Sequence, residues 1–284
     1  MIKTVADEVW AFDCEWVPDL QAGRILYHLP EELPSQEVLR IMWEQGGATP
    51  ENPTPFLRTL FCRVVSIATV IRRTFKNGEV QLYLQALPED PDDPAQDESY
   101  ILRRFLLDGL ANRAPQLVGF NSRNADIRIL TQRAIVNGLS AQALCDRLDA
   151  KPWESKDVDL MDLVSGFGKN YAVSLHEIAS LSGIPGKLET TGDDVCGLWH
   201  SGRKNEIVQY NCFDALTTYL VWLRLAFFSG RFTAEAYRVE QQRVRRLLEE
   251  RIEKPENIFL KRYLEAWRDL KTRTGQLSDG VFEP

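Results

Sequence analysis

The first apolar run of the chain alternates between two kinds of side chain. It extends from Val9 to Trp16 and has the sequence VWAFDCEW. Residues i and i+2 of a β-strand point to the same face. The run therefore predicts a strand with two different faces. The bulky face, which should pack against helices, carries Trp10, Phe12, Cys14 and Trp16, and the face that ends in two acids carries Val9, Ala11, Asp13 and Glu15.

Two further runs predict strands that follow this one. Arg63–Arg73 is rich in β-branched residues, and Val80–Leu87 alternates between apolar and polar positions. Between them, Asn77-Gly78 indicates a two-residue hairpin turn. The first part of the chain thus predicts three strands, the last two of which pair as a hairpin.

After residue 100 the pattern changes to helical spacing. We expect helices over Tyr100–Leu110, Ala125–Gly138, Ser174–Gly183, Lys204–Phe228, Ala234–Ile252 and Asn257–Leu270, with a short buried strand at Gln116–Phe120. Ser174 and Glu177 have the spacing of a capping box. An earlier helix, Ser35–Gln45, has Ser35 as its expected N-cap.

The order of these elements indicates the fold class. Strands come first, and a strand–helix alternation and further helices follow, which is typical of an α/β fold with a mixed sheet and helices on both faces. The segments Gly46–Pro55 and Pro88–Glu98 are expected to be irregular loops, because they are rich in proline, glycine or acidic residues. No internal repeat is evident.

Composition narrows the class of protein. The 284 residues, 44% of them hydrophobic, suffice for one large domain or for one domain with a small appendage. The sequence has no apolar run of membrane-spanning length and no signal peptide pattern, so we expect no membrane association. The five cysteines are scattered, which favours reduced thiols in the cytoplasm.

The net charge of -7 argues against a broadly electrostatic nucleic-acid binder. It does not exclude nucleic acid as a ligand, because carboxylates that hold divalent cations add to the negative count. Two such cations would offset about four charges.

The two acids of the first strand suggest a metal site. Asp13 and Glu15 share a face and lie roughly 6–7 Å apart along the strand, so both can reach one cation or a pair of cations. Two unpaired carboxylates on a buried strand are costly, because they lose hydration and repel each other. The alternative is a strand end at which both acids are hydrated or paired with Lys or Arg.

Two more acids stand in unusual positions. Asp214 lies in a helix that is apolar on several faces, and Tyr210, one turn earlier, points to the same place. Asp126 falls in the first turn of the helix that follows GFNSRNAD, where it can also serve simply as a cap. The four acids together predict a cluster suited to Mg²⁺ or Mn²⁺, in which two ions can clamp the attacking and leaving oxygens of a phosphoryl transfer.

These residues resemble a known family. FDCE, N-x4-D and Y-x3-D, in that order, resemble the three motifs of the DEDD 3′–5′ exonuclease superfamily, and most of all the predicted exonucleases related to the proofreading domain of family B DNA polymerases. The segments FLRTLFCRVVSIATV, NSRNADIRIL, DLMDLVSGFG, GIPGK, YNCFDALTTYLVWLR and KRYLEAW are also similar, so the resemblance extends from about Val9 to Trp267. It implies a ribonuclease H-like fold with additional C-terminal helices.

The resemblance also implies roles for the acids. Asp13 would touch both metal ions, Glu15 would bind one of them, Asp126 would hold the second, and Asp214 would complete the cluster. Tyr210 would orient the attacking water or help to deprotonate it. The chain fits the Tyr subtype, because the position of the alternative His is Gln209 and because His28, His176 and His200 do not fit that role.

Other positions bear on substrate binding. Relatives commonly have Thr at the position of Trp16 and Phe at the position of Ala125, near the 3′-terminal nucleotide. Candidate substrate contacts are Asn121, Arg123, Arg128, Lys169 and Lys187, each of which has an ordinary surface role as its alternative. Asp159 and Asp162 are supports of the site or helix caps, and Arg243, Arg245 and Arg246 are expected to form a solvated, ion-paired face.

The sequence therefore predicts a metal-dependent 3′–5′ exonuclease that acts on the 3′ end of single-stranded DNA with two Mg²⁺ or Mn²⁺ ions. The expected organisation is an exonuclease domain over residues 1–232 and a C-terminal helical extension over residues 233–284, packed on the same domain. Two alternatives stay open: a 3′–5′ exoribonuclease, and a catalytically silent nucleic-acid-binding module on the same fold.

Overall fold

A mixed five-stranded sheet forms the centre of the molecule. We describe it from a computed structural model that covers residues 2–151, 154–167, 173–188 and 195–273. The strand order is β3-β2-β1-β4-β5. β1 pairs antiparallel with β2 and parallel with β4. The strands are β1 (Glu8–Pro18), β2 (Cys62–Thr74), β3 (Val80–Leu87), β4 (Gln116–Gly119) and β5 (Val158–Asp159).

Helices cover both faces of this sheet, as predicted. In chain order they are α1 (Leu20–Leu26), α2 (Ser35–Gln45), α3 (Glu98–Leu102), α4 (Asp126–Val136), α5 (Gln142–Leu148), α6 (Leu160–Val164), α7 (Leu175–Leu181), α8 (Val195–His200), α9 (Lys204–Phe228), α10 (Ala234–Ile252) and α11 (Leu260–Arg273). α3 continues directly into a π-helical segment, Arg103–Ala111. Within the described part of the chain, no helix is both long and apolar enough to cross a membrane.

The central strand β1 has the two faces that its sequence predicts. Trp10 and Phe12 pack on Phe105 of the π-helical segment, with ring centroids 5.8 and 5.5 Å apart. On the opposite face, Val9 and Ala11 share a core cluster with the buried residues of α9. The alternation of side chains therefore directs the acids of β1 towards α9.

A β-bulge interrupts the pairing of β1 with β2 beside the acids. Glu15 lies opposite Ser66, but Trp16 lies opposite Val64, so Val65 is an extra residue on β2. Bulges bend a strand locally and are common next to active sites. Here the bulge separates Glu15 from the end of β1, where Val17 packs in a small cluster with Val65.

Two local predictions were wrong in detail. Pro34 is the residue before α2, and Ser35 already lies in the first helical turn, so it is not the N-cap. The β2–β3 hairpin forms, but its turn is not the two-residue type, because only Gly78 has a positive φ, of 83°. The Gly78 N–H donates to the Phe75 carbonyl. A type I turn followed by a left-handed glycine also joins twisted strands well.

The elements that the sequence did not predict are short. They are α1, α5, α6, α8 and β5, each of seven residues or fewer. The predicted Asn257–Leu270 helix starts later, at Leu260, after a 3₁₀ turn at Pro255–Asn257. Hydrophobic periodicity needs more than two turns to stand out, so elements of this length escape it.

The last two helices pack directly on the rest of the fold. α9, α10 and α11 contribute to one apolar core cluster. A buried ion pair, from Arg72 Nη2 to Glu240 Oε1 over 2.8 Å, also joins the sheet to α10. The five cysteines are free thiols; Cys14, Cys62 and Cys212 are buried, Cys196 is half-buried and Cys145 is exposed.

Candidate active site

Three carboxyl groups meet where β1 packs against α9. Asp13, Glu15 and Asp214 each place an oxygen so that these atoms lie within 4.8 Å of one another. Asp13 and Glu15 are half-buried and Asp214 is buried. The residues come from positions about 200 apart in the sequence, and the two-residue spacing on β1 together with the packing of α9 brings them together.

Tyr210 lies beside this cluster, one turn before Asp214 on α9. The two groups are close enough for the charge of Asp214 to raise the pKa of Tyr210 and for Tyr210 to lower the pKa of Asp214. The side chain is almost fully buried and packs with Val17 and Val65. The shared orientation predicted from the four-residue spacing is therefore present in the structure.

Asp126 reaches the site from the start of α4. Its Oδ1 accepts a hydrogen bond of 2.9 Å from the backbone N–H of Cys14, the residue between Asp13 and Glu15. Asp126 is buried, yet it is not one of the three acids whose oxygens converge. The structure thus places it against the backbone of β1, next to the cluster.

The loop that delivers Asp126 is fixed by Asp159. The two Asp159 carboxylate oxygens accept the backbone N–H groups of Asn121 and Arg123, each over 3.0 Å. The same side chain also accepts from Met161 N–H and thereby caps α6. Both roles considered for Asp159, a support of the site and a helix cap, therefore apply.

Backbone geometry also constrains this loop. Asn121 adopts a φ of 57°, in the left-handed region. At the end of β4, a Cβ on Gly119 would lie 2.3 Å from the Ser122 Cβ. Only glycine allows this close approach, so Gly119 sets the tight turn from β4 towards α4.

Burial raises the pKa of all four acids. Loss of hydration is the main cause for Asp13 and Glu15, and the neighbouring carboxylates add to it. Burial raises the pKa of Asp126 to about 7, although the Cys14 amide opposes the change. Burial raises the pKa of Asp214 to about 6, while Tyr210 and the charge of Lys187 lower it.

The same environment raises the pKa of Tyr210 above its ordinary value. Burial is the main cause, and the charges of Asp214, Glu15 and Asp13 contribute. The hydroxyl is therefore protonated in this environment. Both roles considered for Tyr210, orientation of the attacking water and help in its deprotonation, stay predictions.

Among the predicted substrate contacts, Lys187 is the residue whose charge acts on the acids. Its charge lowers the pKa of Asp13, Glu15 and Asp214. Arg123 is 3.9 Å from Asp162 and is partly exposed. Arg128 is exposed on α4. Lys169 lies outside the described residues.

The arginines of α10 and the histidines noted in the sequence lie outside the acid cluster. Arg243 forms an ion pair of 3.0 Å with Glu240, and Arg245 lies over the Trp267 ring, whereas Arg246 is exposed. His176 Nδ1 accepts the Lys187 backbone N–H, and His28 is exposed. None of the three histidines belongs to the group of converging acids in the described chain.

Sequence reasoning overlooked two polar residues near the site. Thr217 lies three residues after Asp214 on α9, and its hydroxyl is 2.9 Å from that of Tyr263 on α11. A Thr at i+3 from an acid, within an otherwise apolar helix, is a recognisable signal. Its partner on α11 has no such signal, because the contact depends on how the helices pack.

A cavity of about 670 Å³ lies away from the acids. It is bordered by the edge strand β3, the first half of α9 and the residues around the end of α10, and its lining includes none of the four acids. The converging acids instead lie between β1 and α9. The cavity therefore has no part in the arrangement described above.

Comparison with known proteins gives one family match. A family model described as "Predicted 3'-5' exonuclease related to the exonuclease domain of PolB" matches residues 54–267. Asp126, Tyr210 and Asp214 lie within this match. It ends at Trp267, as expected, but begins at residue 54 instead of Val9, so Asp13 and Glu15 precede it and their place in the site depends on the fold.

Among curated proteins, none matches this chain. Among solved structures, the chain is similar to the family B DNA polymerase from the hyperthermophilic archaeon Pyrobaculum calidifontis. The TM-score is 0.45 and the sequence identity is 17%, over 95% of this chain and 30% of the polymerase chain. The chain thus spans less than a third of the length of that polymerase.

Proposed function

Since this chain belongs to the family of predicted 3′–5′ exonucleases related to the exonuclease domain of PolB, we propose that it hydrolyses single-stranded DNA from the 3′ end with the help of divalent cations. One observation carries the proposal. Asp13 and Glu15, which lie outside the family match, are brought within 4.8 Å of Asp214, which lies inside it.

The chemistry of the donors fits a pair of Mg²⁺ or Mn²⁺ ions. Carboxylate oxygens are the ligands these hard cations prefer. The acids also raise one another's pKa by repulsion, which bound cations would relieve. Asp13, Glu15 and Asp214 would hold the ions, with Asp126 on the adjacent side. When bound, divalent cations lower the pKa of a water molecule and stabilise negative charge on the phosphoryl oxygens.

The chain's own groups would orient the substrate. Tyr210, which lies one turn before Asp214 on α9 and acts on its pKa, would orient the attacking water. Lys187, whose charge acts on three of the acids, is suited to contact a phosphate group of the strand. Asn121 and Arg123, on the loop held by Asp159, are the further substrate contacts that we propose.

The remaining features of the proposal follow from the family relation and the composition. A relation to a polymerase exonuclease domain favours DNA over RNA. The free thiols suit a reducing compartment, so we propose the cytoplasm as the location. We also propose that residues 1–232 form the exonuclease domain and that residues 233–284 form a helical extension on it.

A digestion assay tests the proposal. Single-stranded DNA and RNA of the same sequence, labelled at the 5′ end, are incubated with Mg²⁺, Mn²⁺ or EDTA. We expect a metal-dependent ladder that shortens from the 3′ end, faster on DNA, and lost in Asp13→Asn. Asp108→Asn is the matched control, because Asp108 is an exposed acid paired with Arg104 far from the cluster.

The other outcomes separate the alternatives. Faster shortening of RNA than of DNA would identify RNA as the substrate and would leave the proposed chemistry unchanged. Binding of both strands without cleavage under either metal would overturn the enzyme and favour a silent binding module.

A further inference from the structure

A buried chain of hydrogen bonds joins the C-terminal helix to the loop that carries Lys187. The Thr217 hydroxyl donates to the Pro185 carbonyl oxygen over 2.9 Å. It also lies 2.9 Å from the Tyr263 hydroxyl. Because Thr217 has a single hydroxyl proton, which it gives to Pro185, Tyr263 is the donor to Thr217. Thr217 and Tyr263 are both fully buried.

This chain of bonds passes close to the acids on α9. Thr217 is three residues after Asp214 and therefore on the same side of the helix. The ring of Phe213, the residue before Asp214, stacks on Tyr263 with centroids 5.6 Å apart and an interplanar angle of 23°. Tyr263 thus contacts α9 on both sides of the position that carries Asp214.

The loop between α7 and Lys187 is held at further points. Arg224 Nη2 donates to the Ser182 carbonyl over 3.0 Å. The Lys187 N–H donates to His176 Nδ1 over 3.1 Å. A Cβ on Gly186 would lie 2.3 Å from the same nitrogen, so the backbone is pressed against the ring there. Pro185, between these points, is where the hydrogen bond from Thr217 reaches the loop.

We propose that Tyr263 is a positioning residue of the active site. Through Thr217 it fixes Pro185 and hence the backbone from which Lys187 extends towards the acids. Within the described part of the chain, the Tyr263 hydroxyl bonds to Thr217 and to none of the four acids, although the charge of Asp214 raises its pKa. The inference rests on the proposed nuclease function, in which Lys187 contacts a phosphate, and it makes α11 a part of the site's support.

The test compares four variants of the full chain, three that delete a hydroxyl group and one that keeps it. Tyr263→Phe and Thr217→Val each break the bond chain, and Thr217→Ser keeps it. Tyr219→Phe is the matched control, because Tyr219 is equally buried but its hydroxyl bonds to Glu240 on α10. Hydrogen exchange of the peptide over residues 182–188 is measured first, without nucleic acid.

We expect exchange of this peptide to rise roughly fivefold to tenfold in Thr217→Val, which is the scale of one lost hydrogen bond. The rise should be smaller in Tyr263→Phe, because the bond from Thr217 to Pro185 is kept but loses its support. Tyr219→Phe and Thr217→Ser should leave the exchange rate unchanged. An unchanged exchange rate in Tyr263→Phe and Thr217→Val, or an equal rise in Tyr219→Phe, would overturn the proposal. Thr217→Val keeps the test valid if Tyr263→Phe fails to fold.

A kinetic cycle with Lys187→Ala is measured second. Tyr263→Phe should lower kcat/KM in the native background by a similar factor but have no further effect in Lys187→Ala. A full additional loss in Lys187→Ala would show that Tyr263 does not act through the loop. If even the unsubstituted chain fails to cut DNA, the nuclease proposal falls, while the exchange data still decide whether Tyr263 holds the loop.

Discussion

Two groups of acidic side chains lie near the carboxyl end of β1, and they differ in how their charge is balanced. Around Arg133, the guanidinium contacts Asp19 Oδ2 over 2.8 Å and Glu98 Oε2 over 2.6 Å. Glu98 also accepts the Val64 N–H. In the candidate active site, Asp13, Glu15 and Asp214 converge, and the opposing positive charge found among the described residues is that of Lys187.

The two groups show two ways in which a protein can bury carboxylates, with a paired cation or without one. A buried carboxylate is tolerated when a cation and hydrogen-bond donors replace its hydration, as Arg133 and the Val64 amide do for Glu98. Across the described ranges, the converging acids form no ion pair with Lys or Arg, and their pKa values are raised. We infer that the first group holds α3, α4 and the end of β1 together, and that the second sacrifices stability for cation binding.

The largest expected effect comes from Asp214→Asn. Removing one oxygen ligand should lower kcat on single-stranded DNA by about a thousandfold or more, because charge stabilisation in the reaction depends on the cations it helps to hold. The midpoint of thermal unfolding in EDTA should stay the same or rise, since a repelling carboxylate is removed. A lower midpoint in EDTA together with normal kcat would contradict the contrast between the two groups.

Glu98→Gln should have the next largest effect, and on stability instead of activity. It removes one side of a buried ion pair and leaves Arg133 poorly compensated, which costs about 3–5 kcal/mol. Urea unfolding at equilibrium measures this change. Glu44→Gln, in the exposed pair with Arg40, is the control and should cost less than about 1 kcal/mol. Equal losses of unfolding free energy in Glu98→Gln and Glu44→Gln would show that the buried ion pair stabilises the fold no more than the exposed one.

The smallest expected effect is on the pH dependence of stability. A carboxyl whose pKa is higher in the folded than in the unfolded state stabilises the fold below its unfolded pKa, and this contribution is lost as the pH rises through the folded pKa. With folded values of about 6 for Asp214 and about 7 for Asp126, the midpoint in EDTA should fall between pH 4 and pH 8.

Mn²⁺ should weaken or reverse this trend, because cation binding favours the ionised acids. Calorimetric scans across this pH range, with Mn²⁺ or EDTA, measure both parts. Asp214→Asn is the control and should show a flatter profile in EDTA. A midpoint in EDTA that rises steadily up to pH 8 would contradict the raised pKa values.

The sequence predicted one of these two groups and not the other. The alternation in VWAFDCEW and the four-residue spacing of Tyr210 and Asp214 were sufficient to place three acids on facing surfaces. The group around Arg133 unites Asp19, Glu98 and Arg133, which are far apart in sequence and follow no local pattern. Its formation depends on how α3 and α4 pack on β2, and periodicity carries no information about that packing.

The same limit applies within the site. The Asp126 motif was evident from the sequence, but its bond to the Cys14 amide was not, because a strand's backbone donors look alike in the sequence. The strands β1 to β3 and the long helix α9 were predicted closely, since their patterns extend over many residues. The five-residue α6 and the two-residue β5 were not, although they carry Asp159.

The bulge at Val65 places one additional apolar side chain of β2 beside Tyr210. Residues before and after Val65 pair with β1 in different registers, so its removal would let the ladder continue without interruption. Val64 would keep Trp16 as its partner and would stay on the far face of the sheet. The deletion would therefore remove the Val65 side chain from its cluster with Val17 and Tyr210 and leave the other side chains of β2 on their present faces.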